Sequence, residues 1–594
     1  MAPLHKIIVG VDYGTTFTGV SYVDSLKHTI HDINVIRTWP GPSREQDETW
    51  KTPSRIAYGT ENPLIDGATI KWGYMVVPKM KSYTWTKLLL SPETSHTQRS
   101  QENVDILEGD GLMRIPDFKQ GAQDVCADYL RGIYEHIIFF LEQRLTPEII
   151  KVTALDFWFT VPAIWSDKAK HDTYLAVTAA GFGSRPGDLI SMITEPEAAA
   201  VATLSSLSED ERGLAIKNGD GIIICDCGGG TVDIVTYKVI QVKPDLRFEE
   251  LLVGTGDKCG STYIDREFLK WMSRTFGPAF DKVSFEKRGP GSRFMKDFEG
   301  LKRDFGASNQ LDLFEVDLPM PGVSDPEHYD SENCTKLSLT LSSSDMESFF
   351  KPVTQKIEDL LEDQLRQVRQ TSESYINKIV LVGGFGDSPY LNTTLRAWCQ
   401  RRGGISLFCP ENPQASVVKG AALRGLNGMK PEKRKCRLHY GFKINKNFRE
   451  SIDPQWRSVP AEWDGRKLCS DRMVWLIAKG KAIGKEDSIP YDVSRVHYPG
   501  DTLDFAIDLY TCEEDSAPDW YYAESCRKAG EIQYSFSKRD LSKFEKKKNK
   551  ELGKKMINLE YKIQVEMFAD KGMLQFRMLG RHGKDIGNTS VEYD

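Results

Sequence analysis

The chain has 594 residues, 40% of them hydrophobic and 27% charged, with a formal net charge of −7. That length exceeds one core and predicts several domains, and the acidic balance argues against nonspecific nucleic-acid binding. No apolar run approaches the ~18 residues that span a bilayer, and the opening MAPLHKIIVGVDYG carries no signal-peptide pattern, so no membrane span is expected.

Strand patterns alternate with helices from about residue 5 to 215. The stretch AQDVCADYLRGIYEHIIFFLEQRL places Val125, Leu130, Ile133, Ile137 and Leu141 at helical spacing. A second helix, SDKAKHDTYLAVTAAG, has Ser166 as its N-cap and Gly181 as its C-terminal glycine. From about 219 to 428 the alternation starts again: a strand at 221, a hairpin, a helix from Ser261, a long helix from about Asp345, then the strand KIVLVGG. The insertions EKRGPGSR and PGVSDPEHYD read as surface loops. PEKRKCR, after Lys430, reads as a polar linker. Beyond it VWLIAKGKAI, DTLDFAIDLYT and KIQVEMFADKGMLQFRML predict a β domain, and SKRDLSKFEKKKNKELGKK (537–555) a solvated loop. The 11 cysteines form no CxxC pair. Cys225 and Cys227 fit small packing residues sharing one strand face, and a reduced cytoplasmic or nuclear compartment is expected.

Two stretches carry the chemistry. IIVGVDYGTTFTGVSYV (7–23) and GIIICDCGGGTVDIVTY (221–237) are each an apolar strand, an Asp, a Gly/Thr turn and a second apolar strand. Such turns aim backbone N–H groups into a concave anion site, glycine admits a phosphate closely, and threonine hydroxyls add donors. No GK[ST] follows, so neither is a P-loop. Asp12 and Asp226 precede the turns, where a carboxylate beside phosphates holds Mg²⁺, often through water. Two such hairpins facing across a cleft would clamp a triphosphate from both sides. Either hairpin alone reads first as an ordinary glycine turn; together, at the starts of two alternating α/β halves, they favour the phosphate clamp.

These residues resemble the two phosphate hairpins of the seventy-kilodalton heat-shock proteins, within the actin/sugar-kinase ATPase superfamily. The resemblance continues in chain order through DFWFTVPAIWSDKAKHDTYLAVTAAGF, MITEPEAAAVATL, VGTGDKCGSTYIDREFL, DFEGLKRDFG, IVLVGGFGDSPYL and PENPQASVVKGAAL, covering about residues 5–428. The GGFGDSP wording and the KWG tripeptide resemble the divergent twelfth-subfamily and fungal branch more than the abundant chaperones. The resemblance implies a two-lobed actin-like α/β ATPase fold over residues 1–430, with lobe I at about 5–215 plus 410–430 and lobe II at about 219–409. A polar linker at 431–435 and a β-sandwich-like peptide-binding domain at 436–594, without helical lid, would follow.

By the same resemblance, Asp12 and Asp226 hold Mg²⁺ through waters, and Gly14, Thr15, Thr16, Gly228, Gly229 and Gly230 cradle phosphates. Thr231, Asp233 and Glu195 orient the attacking water and the metal shell, and Pro162 relays nucleotide state. Glu299, Lys302 and Arg303 contact ribose and adenine, with Gly383 and Gly384 under the adenosine. Arg303 reads equally well as a helix-surface cation. For the family's lysine near the γ-phosphate, Lys71 in DGATIKWGY is the nearest candidate; an alignment on the glycine of WGY puts Val77 there instead and leaves no lysine. Where the family has an arginine stacking on adenine, this sequence has Asp387, which cannot make a cation–π contact.

The C-terminal part resembles the family's peptide-binding sandwich more faintly, through RLHYGFKI, the hairpin-like VWLIAKGKAI and VEMFADKGMLQFRMLGRHGKD. The family's apolar linker is replaced by PEKRKCR. The expected function is an ATP- and Mg²⁺-dependent chaperone-like ATPase of low activity, with ATP/ADP, extended polypeptide clients and co-chaperones as partners. A nucleotide-gated scaffold with weak or no ATPase activity is the alternative, and a small-molecule kinase of the same superfamily is disfavoured.

Overall fold

The computed structural model describes residues 5–41, 49–63, 65–67, 69–91, 114–208, 215–307, 313–320, 338–371, 374–484, 489–549, 553–566, 575–580 and 583–590. The chain divides into two compact units, residues 1–431 and 432–594.

The first unit is built on two six-stranded sheets with the same strand order. In lobe I, β1 (Lys6–Tyr13) pairs antiparallel with β2 (Phe17–Asp24) and parallel with β3 (Ala154–Val161), which pairs parallel with β4 (Leu189–Thr194). In lobe II, β5 (Gly221–Cys227) pairs antiparallel with β6 (Val232–Gln241) and parallel with β7 (Ile376–Val382), which pairs parallel with β8 (Ser406–Phe408). Every residue of β5 is buried, and so are seven of the eight in β1. Central strands of a sheet covered on both faces read as continuous apolar runs, which is why both are so plain in the sequence. This is the duplicated two-lobed α/β arrangement of the actin-like ATPase fold, and a β-rich unit follows it.

Helices cover these sheets. α1 (Ala122–Leu145) buries Val125, Leu130, Ile133, Ile137 and Leu141 completely, the residues spaced for one face. α2 (Asp167–Ala179) is capped by the Ser166 side chain, which accepts from the Ala169 N–H, and Gly181 follows at φ +105°. α3 (Glu195–Ser208) begins at the end of β4. In lobe II, α4 (Thr262–Phe276) and α5 (Arg293–Asp304) pack through Phe268 stacked on Phe298, with ring centroids 3.9 Å apart. α6 (Ser343–Thr371) starts two residues before the expected Asp345, because Ser342 and Asp345 cap it reciprocally: each side chain accepts from the other's N–H. EKRGPGSR is not wholly loop, since Phe285–Arg288 forms one helical turn before Ser292 caps α5; PGVSDPEHYD lies outside the described residues. α7 (Pro389–Arg402) flanks β8, and α8 (Pro413–Asn427) packs on α3 and β1. Ile8, Ala198, Ala199, Ile222, Val380 and Ala421 form one buried cluster that draws on strands of both lobes. Cys225 and Cys227 are fully buried with their sulfurs 3.6 Å apart, and every described cysteine is a free thiol.

Among the described residues the second unit has two five-stranded antiparallel sheets around one core, beside a separate two-stranded pair. The first runs Ser458–Pro460, β11 (Lys467–Ile477), β10 (His439–Asn447), β14 (Asp504–Cys512) and β15 (Arg527–Ser535). The second runs β13 (Ile489–His497), β17 (Lys555–Glu566), β18 (Gln575–Leu579) and β19 (Asp585–Ser590), with β16 (Glu545–Lys548) beside β17. Phe442 and Ile532 from one sheet and Leu559, Ile563 and Phe576 from the other share one hydrophobic core.

Three stretches depart from the reading of their sequences. Lys433–Lys435, taken as part of a linker, is strand β9 and pairs with β12 (Ala482–Gly484). The apolar part of VWLIAKGKAI therefore does not close a hairpin on itself; after its turn the chain pairs with residues 433–435. Within 537–555, the EKKK run is a paired strand rather than a loop, with all four side chains exposed.

Candidate functional site

The two hairpins meet. Each turn closes with the same backbone bond, Gly14 N–H to Phe17 O at 3.1 Å and Gly228 N–H to Thr231 O at 3.0 Å. A Cβ built on Gly229 would lie 2.2 Å from Thr16 Oγ1, and one on Gly230 would lie 2.7 Å from Thr15 Oγ1. The absence of side chains on these glycines is what lets the threonine hydroxyls approach. Gly260, Ser261 and Thr262 donate to the carbonyls of Gly230, Gly228 and Gly229, so the lobe II turn is seated on the start of α4.

Around the turns lie four carboxylates and two lysines. Asp12, at the end of β1, accepts from Thr160 Oγ1 at 2.9 Å and is paired with Lys51 Nζ at 2.6 Å. Burial raises the Asp12 pKa, but Lys51 and Lys87 outweigh that and hold it below the ordinary carboxylate range. Asp226, its counterpart in β5, is pushed well above that range, by burial first and then by Glu195, Asp12 and Asp233. Glu195, at the start of α3, is raised to about 7, with burial the main cause and Lys87 opposing it. Asp233 Oδ1 accepts from the N–H groups of Ala163 and Ile164, at 2.8 and 3.1 Å, fastening the chain just after Pro162. Thr231 is buried at the end of the lobe II turn.

Lys87 is the more deeply buried of the two lysines. Its ammonium sits 2.8 Å from Glu195 Oε1 with a side chain 2% exposed, over the rings of Tyr13 and Trp165. The next residue, Leu88, packs towards Gly230. Lys71 lies instead in a small sheet, paired across from Ala57, and makes no ion pair with these carboxylates among the described residues. Val77 is in a turn of the same region, its carbonyl accepting from the Met80 N–H. Sequence reading passed over Lys87 and Lys51. The signal for Lys87 was a lone cation inside the apolar run WTKLLL, which folds as a short 3-10 turn with Lys87 buried.

On the lobe II side, α5 brings Glu299, Lys302 and Arg303 together. Lys302 is buried and paired with both Glu299 and Asp265, the latter at 2.7 Å. Arg303 is 2.9 Å from Glu299, and its guanidinium lies 5.1 Å from the centroid of Phe17, the first residue after the lobe I turn. Gly383, at φ +87°, leaves no room for a side chain: a Cβ there would lie 2.3 Å from Asp226 Oδ1. Gly384 faces open space. Asp387 follows in a 3-10 turn, its pKa raised by burial with Arg303 opposing.

Asp12, Glu195, Asp226 and Asp233 outnumber Lys51 and Lys87, and this crowding adds to burial in raising Glu195 and Asp226. Carboxylates of this kind are the hard oxygen donors that a divalent cation takes. Among the described residues no three acidic, His or Cys side chains converge as a ready metal shell. No described helix is long and apolar enough to cross a membrane.

The family profile described as Hsp70 protein matches residues 113–433. The chain is 23% identical over 596 aligned residues to heat shock 70 kDa protein 12A of Homo sapiens, across 86% of this chain and 82% of that protein. It is 24% identical over 589 residues to heat shock 70 kDa protein 12B of Homo sapiens, across 86% and 81% respectively. Against heat shock 70 kDa protein 7, chloroplastic, of Arabidopsis thaliana the identity is 23% over 429 residues, 71% of this chain and 52% of that one.

Proposed function

The chain belongs to the Hsp70 family, as a divergent member, and from that premise we propose that it binds ATP and ADP with Mg²⁺ between the two hairpins of its first unit. The observation that carries this reading is the pair of facing Gly/Thr turns ringed by Asp12, Asp226, Glu195 and Lys87. Gly14, Thr15, Thr16 and Gly228–Gly230 would cradle the phosphates. Asp12 and Asp226 would hold Mg²⁺ through its waters, and Mg²⁺, when bound, would neutralise phosphate charge. Glu299, Lys302 and Arg303 would meet the nucleoside, above Gly383 and Gly384.

Lys87 takes the role sought for Lys71, as the cation nearest the terminal phosphate. Thr231, Asp233 and Glu195 would position the attacking water. The second unit would then bind extended polypeptide, as a chaperone-like ATPase of low activity, with co-chaperones among its partners. Asp387 favours the second reading, a nucleotide-gated scaffold with little turnover, because a carboxylate gives adenine no cation to stack on. Calorimetric titration of ATP and ADP with Mg²⁺ should give saturable binding. No binding of either nucleotide would overturn the proposal. Single-turnover hydrolysis then separates the two readings: Thr231→Ala should slow it while preserving affinity, whereas wild-type turnover no faster than the variant's favours the scaffold.

A further inference from the structure

Lys51 is held in the phosphate cleft by the fold itself. Thr52–Pro53 pairs antiparallel with β2, Thr52 opposite Thr18 and Pro53 opposite Phe17, which sets Lys51 beside Gly19. The lysine stem lies over that glycine: a Cβ on Gly19 would come 3.3 Å from Lys51 Cγ and 3.4 Å from Cε. Tyr74 Oη donates to the Lys51 carbonyl at 3.1 Å. Just beyond, Ser54 N–H donates to Thr16 O at 2.8 Å and Ser54 Oγ donates to Gly14 O at 2.7 Å, tying the segment to the lobe I turn. The side chain is 12% exposed and ends 2.6 Å from Asp12 Oδ2, while Thr160 holds the other oxygen. An ammonium therefore sits on one of the two carboxylates that would carry the metal's water shell.

We propose that Lys51 is a resident counter-cation of this cleft, taking up part of the terminal phosphate charge that a hydrated divalent ion on Asp12 would otherwise carry. Nucleotide di- and triphosphates then keep part of their affinity when Mg²⁺ is withdrawn. The inference rests on the nucleotide-binding reading and deepens it. A fixed ammonium in a buried site needs no recruitment from solution, and its attraction for phosphate is screened far less than at a surface.

The test is the ratio of ATP dissociation constants measured by calorimetry in excess EDTA and in excess Mg²⁺. Lys51→Met and Lys51→Gln should each raise that ratio at least about tenfold, the equivalent of ~1.4 kcal/mol. Lys51→Arg, which keeps the charge, should leave it within about threefold of wild type. A rise below tenfold in whichever neutral variant folds overturns the proposal while leaving nucleotide binding intact. Absence of ATP binding by the wild type with Mg²⁺ removes the nucleotide reading, and this inference with it.

Discussion

Two lysines of lobe I give the sharpest contrast at the scale of single residues. Lys87 is buried against Glu195, whereas Lys71 is partly exposed on a peripheral strand. A hydrogen bond to a charged group is worth ~1.5–3 kcal/mol. Lys87→Met should therefore reduce the preference for ATP over ADP by roughly 10–100-fold, because only ATP presents the terminal phosphate. Lys71→Met should leave both dissociation constants within about twofold of wild type. Competition binding with the two nucleotides checks this, and an equal effect of both variants would show that Lys87 only neutralises Glu195. Asp12, Asp226, Glu195, Thr231 and both glycine turns could be read from the sequence because they sit inside contiguous motifs. Lys51 and Lys87 could not, since each meets its partner through tertiary packing across 39 and 108 residues respectively. Nothing local in WKTPS or WTKLLL states which carboxylate will be near.

At the scale of elements, α3 and α8 approach closely at a glycine. A Cβ on Gly420 would fall 1.7 Å from the Ala198 carbonyl oxygen, and Ala198, Ala199 and Ala421 are fully buried around it. These helices can pack only if that position has no side chain. Gly420→Ala should destabilise the first unit by ~1–3 kcal/mol or more, since a buried backbone atom must move. Urea unfolding followed by intrinsic fluorescence would register it as a lowered midpoint, and an unchanged midpoint would mean the helices separate freely. The helices themselves were legible from 3.6-residue periodicity and caps, as with α1 and Ser166 of α2. β16 was not, because the strand EKKK exposes all four side chains and offers no alternation. A charged edge strand of this kind blunts further pairing, and its composition is the same as that of a solvated loop.

For the whole molecule the question is whether nucleotide in the first unit biases the second. Coupling needs an element with two arrangements whose equilibrium both ligands shift. The segment that follows the first unit is a poor candidate. Lys433, Arg434 and Lys435 are already paired with Gly484, Ile483 and Ala482 as a strand of the second unit. Moving them into an apolar groove would break that pairing and desolvate three cations, each at substantial cost. An extended apolar peptide held by residues 436–594 should therefore bind with affinities that differ less than tenfold between ATP and ADP. Fluorescence anisotropy of a labelled peptide under each nucleotide measures the difference directly. A tenfold or larger shift, about 1.4 kcal/mol of coupling free energy, would mean the pairing of β9 with β12 yields when ATP binds. In that case replacing Ile483, fully buried opposite Arg434, should change the shift, because the strand pair would be the switching element.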